Sequence, residues 1–306
     1  MNNSPRTGIN WFSFAPLVFV CLWATGFIGS RLSAPYAEPL SFLTIRFAIV
    51  VIVLVIASFG FKAKWPDGKT IGWALLTGVF SQGLYLGGVF WAIYYGMPAG
   101  VAALITALQP LLVTVLAGRT LDEKSGWLHW TGLMIGLLGV AMVVWPKLSF
   151  DAQGITPATV SAMFIATLAI TIGSIMQKRF LNDVDMRPAN ALQFMGGGVV
   201  VFVGALISED FNIVWNGDVI FAMGWLVLVL SFGALTLLYL LIRRGEVSTV
   251  SSLFFLVPAV TAVIAFVMFD ETLSVIQLVG MAVCAGAVFI VTHSKNRDAK
   301  KLQVAK

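Results

Sequence analysis

Residues 40–61 read LSFLTIRFAIVVIVLVIASFGF, twenty-two positions with a single charged side chain, Arg46. At a rise of about 1.5 Å per residue, such a run covers the ~30 Å hydrocarbon core of a bilayer. In lipid each backbone amide and carbonyl must be satisfied inside its own segment, so a run of this length can only be a helix. It is one of ten, near residues 12–33, 40–61, 71–95, 98–117, 127–145, 157–180, 189–208, 219–242, 247–269 and 273–292. Two pairs of runs nearly fuse. Pro98 separates one pair, since proline suits the first turn of a helix, and the polar cluster Arg243, Arg244, Glu246 separates the other. Only 11% of the chain is charged, against about a quarter for a soluble domain. The expected fold is an all-α integral membrane bundle of ten transmembrane helices. The first run is longer than a signal-peptide core and only Arg6 precedes it, so it is expected to be a retained span.

Lysine and arginine give the bundle a direction. With a cytoplasmic N-terminus, sixteen of the nineteen fall on inside segments, Arg31 and Lys147 fall outside, and Arg46 lies within a span. Positive charge is retained on the cytoplasmic side during insertion. Both termini are therefore expected in the cytoplasm, and the net charge of +5 reflects topology and not a nucleic-acid partner.

The chain also repeats itself. Asp122-Glu123 and Asp270-Glu271 lie 148 positions apart, as do Pro110 and Pro258, and Gly132 and Gly280. At an offset of 149, Gly96 matches Gly245, Pro39 matches Pro188, Gln82 pairs with Ser231 and Phe90 with Tyr239. Residues 12–145 and 157–292 then form two repeats of five spans, followed by a basic tail, 293–306, suited to anionic headgroups. Five is odd, so the second repeat is expected to be inverted. Inverted repeats characterise secondary transporters, with the substrate near the midplane between the halves. Each acidic pair is expected to cap the helix that follows it.

All fourteen carboxylates fall in loops or at span ends. A proton- or sodium-coupled carrier usually keeps an ionisable group inside the membrane, so gradient-driven transport is expected. Arg46 is the exception, about 10 Å into its span. It is either a functional charge or a brace. Better cavity candidates are polar or aromatic residues inside spans. Gln82 and Tyr85 share one helix face, and Thr106 and Gln109 share another. Thr167, Ser231 and Ser251 add hydroxyls, while Trp23, Tyr239 and Phe254 could form an aromatic wall. The competing role for each is packing against a neighbouring helix or against lipid. Pro110 and Pro258 free backbone carbonyls and mark candidate gating kinks. The small-residue pairs Gly83/Gly87, Gly132/Gly136 and Gly280/Cys284 mark close helix packing. Gly68-Lys69-Thr70 ends like a phosphate loop, but Ala63 occupies the place of its first glycine. There is no His-Glu-x-x-His or Gly-x-Ser-x-Gly pattern, so neither an enzyme, a metal nor a cofactor is expected. Cys21 and Cys284 are too few for a disulfide framework.

LWATGFIGSR at 22–31, LSFLTIRFA at 40–48, AGVAALITALQPLL at 99–112 and the repeated Pro-x11-Asp-Glu resemble the drug/metabolite transporter superfamily, EamA type, over nearly the whole chain. Ala24 follows Trp23 where many relatives carry glycine. The resemblance implies two inverted five-helix halves, a cavity lined by spans 1, 3, 4, 6, 8 and 9, and peripheral spans 5 and 10. Because it puts span 2 outside the cavity, a bracing role is expected for Arg46. It also implies export of small metabolites across the bacterial inner membrane, and the length and layout are most similar to its amino-acid exporters. The expected partners are a neutral amino acid, aromatic or otherwise apolar, and the lipid bilayer, with a monomer as the unit. The zwitterion's charged ends would then be met by neutral dipoles, those of Gln82, Tyr85, Thr106, Gln109, Ser231 and Ser251. Export of cationic drugs or other metabolites is the alternative within the superfamily, and an intramembrane sensor is the alternative outside it.

Overall fold

The computed structural model describes residues 14–123, 125–145, 154–269 and 273–304. Ten helices in it are long and apolar enough to cross a bilayer: α1 Ala15–Ser33, α2 Pro39–Gly60, α3 Gly68–Tyr94, α4 Ala99–Thr120, α5 Trp127–Val144, α6 Pro157–Phe180, α7 Met186–Ser208, α8 Gly217–Arg244, α9 Val247–Ile264 and α10 Val275–Ser294. The last helix runs on to Val304. Among the described residues the sole β-type pairing is one isolated bridge, Ala37 with Ile213. The chain is a multi-pass, all-helical membrane protein. Its outer surface carries exposed Ile52, Ile56, Leu138, Ile207, Leu228 and Phe289, apolar side chains for which lipid is the natural solvent.

Helix starts follow local chemistry. Pro39 and Pro157 occupy first-turn positions. Asp67 accepts the Thr70 N–H, Asn216 accepts the Val219 N–H, and Thr156 and Thr159 form a reciprocal capping box. Glycine sets the closest helix contacts. A Cβ on Gly139 of α5 would lie 2.8 Å from Cys284 Sγ, and one on Gly280 of α10 would lie 2.8 Å from the Gly139 carbonyl oxygen. A Cβ on Gly78 of α3 would collide with the backbone of Gln193 in α7. Backbones this close leave no room for a side chain.

Two irregularities recur. In α3 the stretch Val79–Leu84 is π-helical, and in α8 the stretch Leu226–Ala234 is π-helical too. Helix α4 breaks at Ala107–Leu108 and resumes at Gln109–Pro110, while α9 passes through a 3₁₀ stretch, Ser252–Phe255, shortly before Pro258. The first helical residues of α4 and α9, Ala99 and Val247, are 148 positions apart in the chain. Wide turns of this kind are common at functional sites.

The acidic residues behave differently from the sequence expectation. Gly126, not an acid, precedes α5, and no side chain caps that helix. Glu123 instead reaches across the bundle to the start of α9, where it accepts from the Val247 and Ser248 N–H groups at 2.8 and 3.1 Å and from Ser248 Oγ at 2.6 Å. Glu209, at the end of α7, treats α2 in the same way, accepting from Leu40 N–H, Ser41 N–H and Ser41 Oγ at 2.9, 2.7 and 2.7 Å. A carboxylate satisfies free N–H groups and the positive helix end wherever it comes from in the chain, so space and not sequence order chooses the helix. Asp270 and Glu271 lie outside the described residues.

Candidate functional site

The turns after α2, α4, α6 and α8 lie at one end of the bundle, which also carries most of the lysine and arginine and is called the basic end below. The turns after α1, α3, α7 and α9 lie at the far end. The two ends differ. At the far end a vestibule of about 470 Å³ opens between Ile28 and Arg31 of α1, Gly96–Gly100 at the start of α4, Val143 of α5, Pro258 and Thr261 of α9, and Gln277 of α10. Its size is that of a small-molecule site. Gln277 is held there, its amide donating to the Val143 carbonyl at 3.2 Å.

At the basic end hydrogen bonds tie spans to one another. Glu123 ties the end of α4 to the start of α9. Lys178 of α6 donates to the carbonyl oxygens of Ile242, Arg243 and Gly245 at 2.9, 3.2 and 3.0 Å. Arg243 in turn donates to the carbonyl groups of Leu181 and Val184. Cations on terminal carbonyls satisfy the acceptors that a helix end leaves open. Two pairs of spans, α4 with α9 and α6 with α8, are thus joined here by charge-assisted hydrogen bonds, each stronger than a neutral one.

Between α1, α2, α3, α7 and α8 lies a smaller chamber, walled by Trp23, Arg46, Gln82, Tyr85, Phe194 and Ser231 among others. Its open space is about 50 Å³, enough for a few waters and too little for an amino acid. The two π-helical stretches bring Gln82 and Ser231 to its wall. From Gln82 a buried polar chain runs outward: its amide donates to Tyr239 Oη at 3.2 Å, Tyr239 Oη donates to Gln193 Oε1 at 2.7 Å, and Gln193 donates to Gln177 Oε1 at 3.1 Å. Tyr239 Oη also lies 3.5 Å from Ser81 Oγ. Every group in the chain is less than a tenth exposed.

Trp23, Gln82, Tyr85 and Ser231 therefore meet at one wall, and Arg46 joins them although its helix was expected outside the cavity. Helix α2 packs directly against the π-helical stretch of α8, and Arg46 Nη2 donates to Ser231 Oγ at 3.1 Å. Tyr239 stands behind Gln82. Phe254 packs edge-on against Trp23, with ring centroids 5.2 Å apart, and Trp23 stacks on Tyr85 at 6.4 Å. Pro258 lines the vestibule. The remaining candidates lie in neither space. The hydroxyls of Thr106, Thr167 and Ser251 bond to the carbonyl groups of Ala102, Met163 and Ser248 on their own helices. Gln109 is buried with Oε1 unpartnered among the described residues, next to Pro110 at the break in α4. Gln177 and Gln193 were not singled out by the sequence, and Glu123 was expected to cap α5, not α9. The two glutamines were visible as amides within apolar runs, but no spacing links residues on different helices.

The sequence profile of the EamA-like transporter family matches this chain twice, over residues 10–145 and 158–293. The chain is 26% identical over 275 residues to the uncharacterized inner membrane transporter YedA of Escherichia coli (strain K12), a match covering 90% of this chain and 88% of that one. It is 25% identical over 287 residues to a probable amino-acid metabolite efflux pump of Salmonella typhimurium (strain LT2), covering 90% and 93%. A solved crystal structure with 17% sequence identity superposes with a TM-score of 0.75, covering 92% of this chain and 97% of that chain, and shares the fold.

Proposed function

Because this chain belongs to the EamA-like transporter family, we propose that it exports small metabolites, neutral amino acids foremost, across the bacterial inner membrane by alternating access. The observation that carries this proposal is the asymmetry of the bundle. A vestibule of about 470 Å³ is open at the far end, while Glu123, Lys178 and Arg243 close the basic end. Positive charge stays on the cytoplasmic side, so the closed end is cytoplasmic and this conformation faces outward. The recurrence of a π-helical third span and a broken fourth span supports two inverted five-helix halves.

The likeness to a probable amino-acid metabolite efflux pump supports amino acids as cargo. The side chains of the chamber wall support the same reading. Gln82 and Tyr85 can meet an ammonium group, and Trp23, Tyr85 and Phe194 form an apolar face for a side chain. Helix breaks at Ala107–Leu108 and Ser252–Phe255 give α4 and α9 places to bend when the basic end opens. The test is counterflow in proteoliposomes. Labelled leucine or phenylalanine should accumulate against an internal pool of either amino acid, and quaternary ammonium compounds should compete poorly. Transport of the quaternary cations with no amino-acid counterflow would favour a drug exporter instead.

A further inference from the structure

Arg46 is the feature that the transport mechanism leaves unexplained. Its side chain is only 3% exposed. It lies in a membrane-spanning helix and helps wall the inner chamber. Its hydrogen bond is from Nη2 to the neutral Ser231 Oγ, and Nε is buried with no partner among the described residues. The guanidinium carbon also stands 6.0 Å from the Phe47 ring, a weak contact. No carboxylate is among the described residues that line the chamber.

A guanidinium carries five donors and keeps its charge in proteins. Burying that charge without a counter-ion costs several kcal/mol, so buried arginines are normally paired. A brace would be satisfied by helix-end carbonyl groups, as Lys178 and Arg243 are at the basic end. Among the described residues Arg46 has no such ring of acceptors. It has open space beside it, a hydroxyl partner on one side and aromatic walls on the other. A buried arginine facing a cavity is arranged to receive a planar anion through two parallel hydrogen bonds.

We infer that Arg46 binds the carboxylate of the transported substrate in the inner chamber. The protein's cargo is then carboxylate-bearing, and Arg46 is a specificity residue for it. The inference rests on the transport reading and narrows it. Gln82 and Tyr85, on the neighbouring helix, are left for the ammonium end of an amino acid. Ser231 Oγ donates to the Leu226 carbonyl at 3.1 Å while accepting from Arg46, which holds the guanidinium in position at the chamber wall. As the chamber's open space is only about 50 Å³, binding must widen it, so occupancy is coupled to movement of the surrounding helices.

The test compares acids with their amides. Ligand-induced shifts of thermal unfolding and direct binding are measured on the purified full chain in detergent, with leucine and phenylalanine against leucinamide and phenylalaninamide. 3-Phenylpropionate, which has a carboxylate and no ammonium, is the third probe, and chloride is the control. The acids should bind about tenfold or more tightly than the amides. Arg46→Gln should bring the two to parity, and Arg46→Lys should retain part of the preference. Equal binding of acid and amide by the native protein, an unchanged ratio in Arg46→Gln, or binding of none of the carboxylates overturns the inference. If Arg46→Gln does not fold, the native acid-to-amide ratio and its value in Arg46→Lys decide. Should 3-phenylpropionate bind through Arg46 while amino acids do not, the carboxylate site stands and the amino-acid export reading falls.

Discussion

Glu123, in the turn after α4, holds the first turn of α9 through Ser248, accepting both its N–H at 3.1 Å and its hydroxyl at 2.6 Å. At the far end Glu209 holds Ser41 of α2 by the same two groups, both at 2.7 Å. The bonding is alike but the surroundings differ. Glu123 joins helices that part around the vestibule at their other ends, since Gly100 of α4 and Pro258 of α9 both line it. Opening the basic end must break the Glu123 bonds and can leave those of Glu209 intact.

Glu123→Ala should therefore shift the resting population toward an open basic end. Removing such a cap costs about 1–2 kcal/mol, roughly a tenfold change in that equilibrium. A cysteine replacing Thr249, beside the latch, should become more reactive toward a polar thiol reagent applied at the basic end. Glu209→Ala should lower thermal stability by a similar amount and leave that reactivity unchanged. Equal reactivity in the two variants would mean that the Glu123 bonds do not gate.

Tyr239→Phe removes a hydroxyl that accepts from Gln82 and donates to Gln193. Both amides stay buried and lose a partner, at a cost of about 1–3 kcal/mol. Flux should fall and the unfolding temperature should drop. The double variant Tyr239→Phe with Gln82→Leu should recover part of the stability, because the Gln82 amide is then no longer stranded, while the Gln193–Gln177 bond is kept. No recovery in the double variant would show that the chain is not energetically coupled.

Ten spans were legible because lipid requires long apolar runs, and α6 begins and ends at Pro157 and Phe180 as expected. The pairing of Gln82 with Ser231 across the repeats was also legible, and both sit in π-helical stretches at one chamber wall. The π geometry itself was not, since nothing in VFSQGL or LVLVLSFGA differs from an ordinary apolar helix. The partner of Glu123 was hidden for another reason. A carboxylate at a turn caps whichever helix end is nearest in space, and a gap of 124 positions between Glu123 and Val247 carries no local signal. Arg46 stood out as a charge, but its approach to Ser231 depends on how α2 and α8 pack.

Gly280→Leu should break the seam between α5 and α10, where a Cβ already meets the Gly139 carbonyl oxygen at 2.8 Å. Overpacking of this kind costs about 1–3 kcal/mol. Folded yield should drop, while the protein that does fold keeps its order of preference among amino acids. A changed order would mean that α10 touches the substrate.

No carboxylate is among the described residues of the chamber wall or the vestibule, so no group there is poised to carry a proton through the membrane. Amino-acid counterflow in proteoliposomes should persist when an uncoupler collapses the pH gradient. Strict dependence on the gradient would require a coupling acid elsewhere.

Alternating access from an outward-facing state is tested most directly by measuring both ends of the bundle at once. Spin-label pairs would replace Arg119 and Arg244 at the basic end and Tyr95 and Val263 at the far end, and their distances would be compared with and without leucine. Leucine should produce a longer-distance population at the basic end and a shorter one at the far end, with the two rising together. Distances that stay fixed at both ends under conditions where leucine is transported would contradict the mechanism.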